Sequence, residues 1–574
     1  MIAKHKAPIA PIKPHIIECH GDSRIDNYYW MRLSDAQKTA SKPDEQTIQV
    51  VDYLNKENDY CDAVMNDSKE LQETLFNEII GRIKQTDMSV PYFDNGYYYI
   101  TKFEEGLEYA SHCRKPISLE NEEELLIDEN KQAENLKYYD LGGISVSPDN
   151  VYLAYGEDVV GRRQYVLKFK NIRTGELLED TVPNTTGSVV WGNDNKTIFY
   201  TVKDKALRPY KIMRHTIGTP IEEDQVVIHE PDETFRVFVF KTKSRQFICG
   251  GSWARLTQEF MYLNADLPQQ DFQMFQERQY GLEYEIDHYK DHWYIKTNKD
   301  GALNYKLMRT PLEHTSLEFW TDLKPYDPKV FTEGMEIFSN HLVISERESG
   351  NTRLRVKQWT TEAEHFIDFG EEAYMAYTST NKSFDTNVIR VGFTSMITPN
   401  SIFDYNMDER KLLLLKQQEV VGGYDSSQYK SERLMAKSRD GIEIPISIVY
   451  HKDFPLDGTG PLCLYAYGSY GHSMDPYFSS ARLSLLDRGF AFAIAHTRGG
   501  QEMGRSWYDD GKLLKKTNTF YDFIDCGEHL IYKGYVAKDK LFAMGGSAGG
   551  LLMGAIANMK PEMWKGIVAA VPFV

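Results

Sequence analysis

The chain has 574 residues, 41% of them hydrophobic and 26% charged, which excludes a disordered or collagen-like polypeptide and predicts several folded domains. Its net charge of −18 argues against a nucleic-acid partner, which calls for a basic face; it serves solubility and is compatible with cationic ligands. Aromatic residues at 13%, with 37 Tyr and 28 Phe, favour pleated surfaces and predict much β-structure.

The lead runs from Met1 through Lys4, His5 and Lys6 into Pro8, Pro11 and Pro14. No apolar stretch follows the basic start, so no signal peptide is expected. The longest apolar runs, such as Phe490 to Ala495, are too short to span a bilayer, and no membrane partner is expected. Cys19, Cys61, Cys113, Cys249, Cys463 and Cys526 are far apart and form no CxxC or CxxxC pair. That excludes a zinc framework and a dense disulfide scaffold. Free thiols, a cytoplasmic location and no metal or cofactor are the expectation.

Residues 1–87 read as an extended, proline-containing lead followed by helices. Behind Ser68, a candidate N-cap, Leu71, Leu75, Ile79 and Ile83 form one apolar stripe at i+4 spacing, with Gly81 interrupting near its end.

From 88 to 424 short alternating runs replace helical periods. Tyr97–Thr101 follows Asp94-Asn95-Gly96, Val151–Tyr155 follows Asp149-Asn150, and Thr197–Thr201 follows Asp194-Asn195. Taking Asn95, Asp149, Asp194, Ser244, Lys290, Asn340 and Asp385 as turn markers, the spacings are 54, 45, 50, 46, 50 and 45 residues. Near-equal steps in a strand-rich segment are the pattern of propeller blades. Seven markers predict a seven-bladed β-propeller; the alternative is a run of hairpins in a large sandwich.

From 425 to 574 the texture is α/β. Ile444–Tyr450 alternates as a half-buried strand, while Leu462–Ala466 and Phe490–Ala495 are short continuous apolar runs, as buried parallel strands are. Phe520, Phe523, Ile524, Gly527, Leu530 and Ile531 mark a helix, with Asn518 as a candidate cap.

The chemistry lies in Gly545-Gly546-Ser547-Ala548-Gly549-Gly550. It follows the apolar strand Leu541–Met544 and precedes a small-residue helix. Gly-x-Ser-x-Gly in that context is a nucleophile elbow, a sharp turn that presents a strained serine above a sheet; the bland alternative is a structural Gly-rich turn. Ser547 is the candidate nucleophile, and the Ala548 amide is an oxyanion donor by position. Tyr467, at the end of the strand Leu462–Ala466, is either a second oxyanion donor or a packing residue. All 15 histidines precede Ser547. Of the 27 residues after it, Glu562 is the one acid, and Gly566–Val574 reads as the next buried strand. The sheet is thus expected to be incomplete at its C-terminal end, as the front part of a longer hydrolase.

Tyr467-Gly-Ser-Tyr470-Gly, His496-Thr-Arg498-Gly-Gly-Gln-Glu502-Met-Gly-Arg505-Ser-Trp507, Lys515-Lys-Thr-Asn-Thr-Phe520, Gly545-Gly-Ser547-Ala-Gly-Gly and the N-terminal His20-Gly-Asp-Ser-Arg24-Ile-Asp26-Asn-Tyr-Tyr29-Trp30-Met-Arg32 resemble the prolyl oligopeptidase family of serine peptidases. Within it they resemble the branch that cleaves short peptides after Arg or Lys. The likeness runs from about residue 14 to 574 and is weaker in the propeller. It implies an α/β-hydrolase domain built from 425–574, with 1–87 packing on it, and a propeller over 88–424 that keeps folded proteins out. It also implies Ser547 as nucleophile, Tyr467 and the Ala548 amide as oxyanion donors, and Tyr470 as an aromatic ring beside the primary substrate pocket. Gln501 stands where the family usually has a third glycine, and Ala466 where it has glycine. The family's triad Asp and His, and the acidic pair that selects basic residues, fall beyond Val574.

Three functions remain open at this point. One is an Arg/Lys-specific serine oligopeptidase, inactive in the chain as given for want of its base. The second is prolyl-specific cleavage on the same scaffold. The third is a non-catalytic propeller-bearing binding protein.

Overall fold

The computed structural model describes residues 5–371 and 373–573. Residues 1–4 of the lead and Val574, both used in the sequence reading, lie outside the described residues. The chain forms two compact units that divide between Arg82 and Ile83.

The first unit is helical. The helix Glu45–Met65 is capped by Asp44, whose carboxylate accepts the Thr47 N–H at 2.8 Å. The helix Lys69–Gly81 forms where the apolar stripe predicts it. The expected Ser68 cap does not. Ser68 ends a 3-10 turn with φ −102° and ψ 1°, outside the extended conformation a cap needs, and its hydroxyl turns back to donate to the Met65 carbonyl at 2.7 Å. Leu75 and Ile79 of the stripe are half-buried; Leu71 and Ile83 are 50% and 51% exposed.

The second unit opens with the β-propeller. Strands between Asp87 and Gln417 pair antiparallel with their neighbours. Seven blades were expected, and the structure corrects this count. There are five sheets of blade size, one of five strands and four of four, and a further continuous sheet of seven strands over Asp140–His229. The markers Asp149 and Asp194 both fall in that last sheet. The strand Leu177–Trp191 is 15 residues long. Its first half pairs with Tyr165–Asn171 (Leu167 opposite Val182) and its second with Thr197–Lys203 (Val189 opposite Tyr200). Hydrogen bonding therefore continues through a point where the turn spacing marks a boundary. Five of the seven marker turns contain a residue of positive φ: Asn95, Asn150, Asn195, Arg245 and Lys290 lie between 47° and 65°, as tight hairpin turns require, whereas the turns at Asn340 and Asp385 contain none.

The α/β part is one six-stranded sheet. Its strands are β1 (Tyr429–Lys437), β2 (Glu443–His451), β3 (Leu462–Tyr465), β4 (Ala491–Ala495), β5 (Leu541–Gly546) and β6 (Gly566–Ala570), in the order β1-β2-β4-β3-β5-β6. β3 runs parallel to β4 and β5, and β5 to β6. β2 is not half-buried as its alternation suggested. Ile444 through Tyr450 are all buried, because Ile444, Ile446 and Ile448 enter one core while Val449 enters another with Phe478, Leu483 and Leu486. Two helices matter for the site, α1 (Thr517–Tyr532) and α2 (Ala548–Met559). The α1 face predicted from Phe523, Ile524 and Leu530 is the buried one. Its cap position is Lys516, and Asn518 lies inside the first turn, donating to the Asp510 carbonyl at 2.9 Å. No helix among the described residues is long and apolar enough to cross a membrane.

Candidate active site

β5 delivers Ser547 to the start of α2. Ser547 has φ 54° and ψ −114°, a conformation that costs an L-residue free energy and persists only where its surroundings impose it. Its N–H donates to the Ala570 carbonyl at 2.9 Å, and its carbonyl accepts the Leu551 N–H at 3.1 Å. Two glycines permit the turn. A Cβ on Gly545 would lie 2.5 Å from the Gly549 carbonyl oxygen, and one on Gly549 2.6 Å from the Ala466 carbonyl oxygen. The residues that directly follow β3, Ala466 and Tyr467, thus press against the elbow.

Ser547 is exposed while Ala548 is 1% exposed. Ala548 opens α2, where first-turn amides lack intrahelical partners and the helix dipole is positive. No acceptor among the described residues takes its N–H. An anion forming at the serine would meet this amide and the helix end.

Tyr467 follows the Ala466 carbonyl. Its Cα would be 3.4 Å from a Cβ on Gly549, so its backbone and the elbow share one contact surface. The ring is half-buried and stands edge-on to His472, with centroids 5.5 Å apart. Its hydroxyl makes no hydrogen bond among the described residues. Tyr470 stands farther along the same loop, 56% exposed with φ 58°. A propeller residue reaches it: the Arg255 guanidinium lies 6.0 Å from its ring and donates to the Tyr508 hydroxyl at 3.2 Å. No histidine among the described residues hydrogen-bonds Ser547. His496 is paired with the Ser447 hydroxyl at 2.8 Å, and burial brings it down to about 3, so it is a neutral ring.

The sequence reading passed over what holds this loop. The Gly471 N–H donates to the Gly499 carbonyl at 2.9 Å and the Met474 N–H to the Glu502 carboxyl at 2.8 Å. Burial pushes that carboxyl up to about 7. The Lys516 ammonium donates to the Gly468 carbonyl and to the Ser469 hydroxyl. Glu502 and Lys516 stood inside the quoted motifs, but nothing in their spacing shows that they converge on the turn after β3.

A glycine-flanked serine on a strained strand-to-helix turn of a largely parallel sheet, in a chain that also carries a β-propeller, defines the class as a serine hydrolase with a propeller domain. Residues 8–418 match the family model described as prolyl oligopeptidase, N-terminal beta-propeller domain, and residues 476–574 match that of the prolyl oligopeptidase family. The chain is 42% identical to dipeptidyl aminopeptidase BI of Pseudoxanthomonas mexicana, over 100% of this chain and 80% of that protein. It is 36% identical to protease 2 of Moraxella lacunata, over 99% of this chain and 81% of that one. The solved structure of oligopeptidase B from Leishmania major superposes with a TM-score of 0.92 at 33% identity, covering 99% of this chain and 82% of that chain. The chain belongs to the prolyl oligopeptidase family of serine peptidases.

Proposed function

We propose that the chain is an oligopeptidase that cleaves short peptides after Arg or Lys through an acyl-enzyme on Ser547. The observation that carries this reading is the strained Ser547 backbone beside a buried Ala548 N–H that has no acceptor among the described residues. Ser547 Oγ attacks the peptide carbonyl carbon, the amine leaves with a proton, and water releases the acyl group. The Ala548 N–H and the Tyr467 hydroxyl donate to the carbonyl oxygen as it becomes an oxyanion. The Tyr470 ring packs beside the substrate side chain. The propeller, residues 88–424, restricts access to short peptides, and 425–574 carries the chemistry.

The Tyr467-Gly-Ser-Tyr470-Gly motif supports the basic preference, as does likeness to proteins named oligopeptidase B and protease 2. All six cysteines are free, which supports a reducing compartment, the cytoplasm. The protein purified from its own organism should hydrolyse N-blocked arginyl and lysyl amides with a higher kcat/KM than prolyl ones. A prolyl preference would overturn the assignment.

One observation favours a second reading. The 42% identical relative is named a dipeptidyl aminopeptidase, which points to release of dipeptides from free N-termini. Blocking the substrate's N-terminus separates the two: an oligopeptidase keeps its rate and a dipeptidyl aminopeptidase loses it.

The described residues place no imidazole on Ser547. A polypeptide of these 574 residues alone should therefore show no appreciable turnover of an arginine ester, since a serine without its base loses most of its rate enhancement. Hydrolysis that is brisk and vanishes in Ser547→Ala would contradict this.

A further inference from the structure

Lys516 is electrostatically anomalous. Its ammonium sits at the N-terminus of α1, a helix of 16 residues, where the dipole disfavours a cation. It is half-buried, and every acceptor it uses is neutral: the Gly468 carbonyl, the Ser469 hydroxyl at 2.6 Å and the Thr519 hydroxyl at 3.2 Å. No carboxylate among the described residues pairs with it. The neighbouring charges are engaged elsewhere. Asp522, on α1, is held by Arg498 at 2.6 Å, and Arg498 also pairs with Asp440. On the preceding turn Asp509 pairs with Lys512 and Arg505, and Asp510 with Lys515. The loop after β3 carries Tyr467, Tyr470, His472 and Asp475, and its one carboxylate, Asp475, is held by Arg347 at 2.6 and 3.1 Å. Burial alone brings the Lys516 ammonium down to about 8.

A half-buried cation without a counter-ion is costly, and a neutral side chain could have held the same three oxygens at less cost. What the charge adds is a positive potential at the turn after β3, on the residue that follows Tyr467. We propose that Lys516 is a positioning residue for the oxyanion site: its ammonium fixes the Gly468–Ser469 turn that carries Tyr467 and leaves an uncompensated positive charge behind the place where the oxyanion forms. This rests on the reading of Ser547 as nucleophile.

The two can be tested separately with a probe that needs no general base. The boronic acid analogue of N-acetyl-arginine adds Ser547 Oγ to boron. A B–O bond forms, the hydroxyl proton goes to solvent, and a tetrahedral boronate with one negative charge results. Its affinity for the 574-residue chain should fall at least about tenfold in Lys516→Met and stay within about threefold in Lys516→Arg. Between about pH 7 and about pH 9.5 the unaltered protein should lose affinity relative to Lys516→Arg, because lysine discharges in that range and arginine does not. That comparison stands by itself if Lys516→Met fails to fold. Adduct lost in Ser547→Ala but unchanged in Lys516→Met, or a flat ratio between the unaltered protein and Lys516→Arg, would overturn the Lys516 inference. Adduct that survives in Ser547→Ala, or none in the unaltered chain, would overturn the Ser547 reading and this one with it.

Discussion

The four glycines around Ser547 are not equivalent. At Gly545 and Gly549 an added Cβ would meet carbonyl oxygens at 2.5 and 2.6 Å, whereas at Gly546 the nearest atom is 3.8 Å away. Gly549→Ala should therefore cost about 1–3 kcal/mol through forced backbone movement and abolish boronate binding. Gly546→Ala should change stability by less than about 0.5 kcal/mol. Urea unfolding of the two variants tests this, and equal effects would contradict the close approach of the residues after β3 to the elbow. The Gly-x-Ser-x-Gly pattern already marks Gly545 and Gly549, two residues either side of Ser547, as the crowded positions, but a motif records residue type and not which neighbour each position faces. The same limit applies to Ser68. Its type suits a cap, but the preceding 3-10 turn sets its backbone and directs its hydroxyl elsewhere.

Single elements were legible where one periodicity governs them. The strands β3 and β5 and the buried face of α1 lie close to where their apolar runs place them. The seven-stranded sheet was not legible, since its continuity depends on hydrogen bonds made by one long strand rather than on the turns that flank it. A buried ionic cluster braces that sheet. His215 Nδ1 is 2.6 Å from Asp224 and Nε2 3.3 Å from Asp180, and the Tyr200 hydroxyl also donates to Asp224 at 2.6 Å. Burial works against the imidazolium, but the Asp224 hydrogen bond and charge, with Asp180, outweigh it and raise the His215 pKa. Because the folded value lies above the unfolded one of about 6.5, this contribution is fully present below about pH 6.5. It is lost as pH rises through the folded value. The urea midpoint should fall across that interval by more in the unaltered protein than in His215→Gln. Parallel curves would show that the cluster is not protonated in the folded state.

In the whole molecule, the propeller and the α/β sheet are joined by buried charge. Arg347, 3% exposed, donates to both oxygens of Asp475 at 2.6 and 3.1 Å while also holding Glu333 at 2.9 Å. Arg505 pairs with Glu283 at 3.0 Å. Asp475→Ala leaves a buried guanidinium short of one partner and should destabilise the protein by about 3 kcal/mol. Removing the exposed pair Lys84–Glu419, whose side chains are 47% and 58% accessible, should cost less than about 1 kcal/mol. Thermal unfolding distinguishes these, and a silent Asp475→Ala would mean that the contact does not join the two parts in solution. These joints were not readable from sequence, since each pairs residues more than a hundred positions apart. The central claim is that Ser547 is a nucleophile presented by a strained turn. Boron-11 NMR of the arginine boronic acid bound to the chain tests it most directly. A tetrahedral boron signal that appears with the unaltered protein and disappears in Ser547→Ala is the expected result; a signal that persists in Ser547→Ala, or never forms, would contradict it.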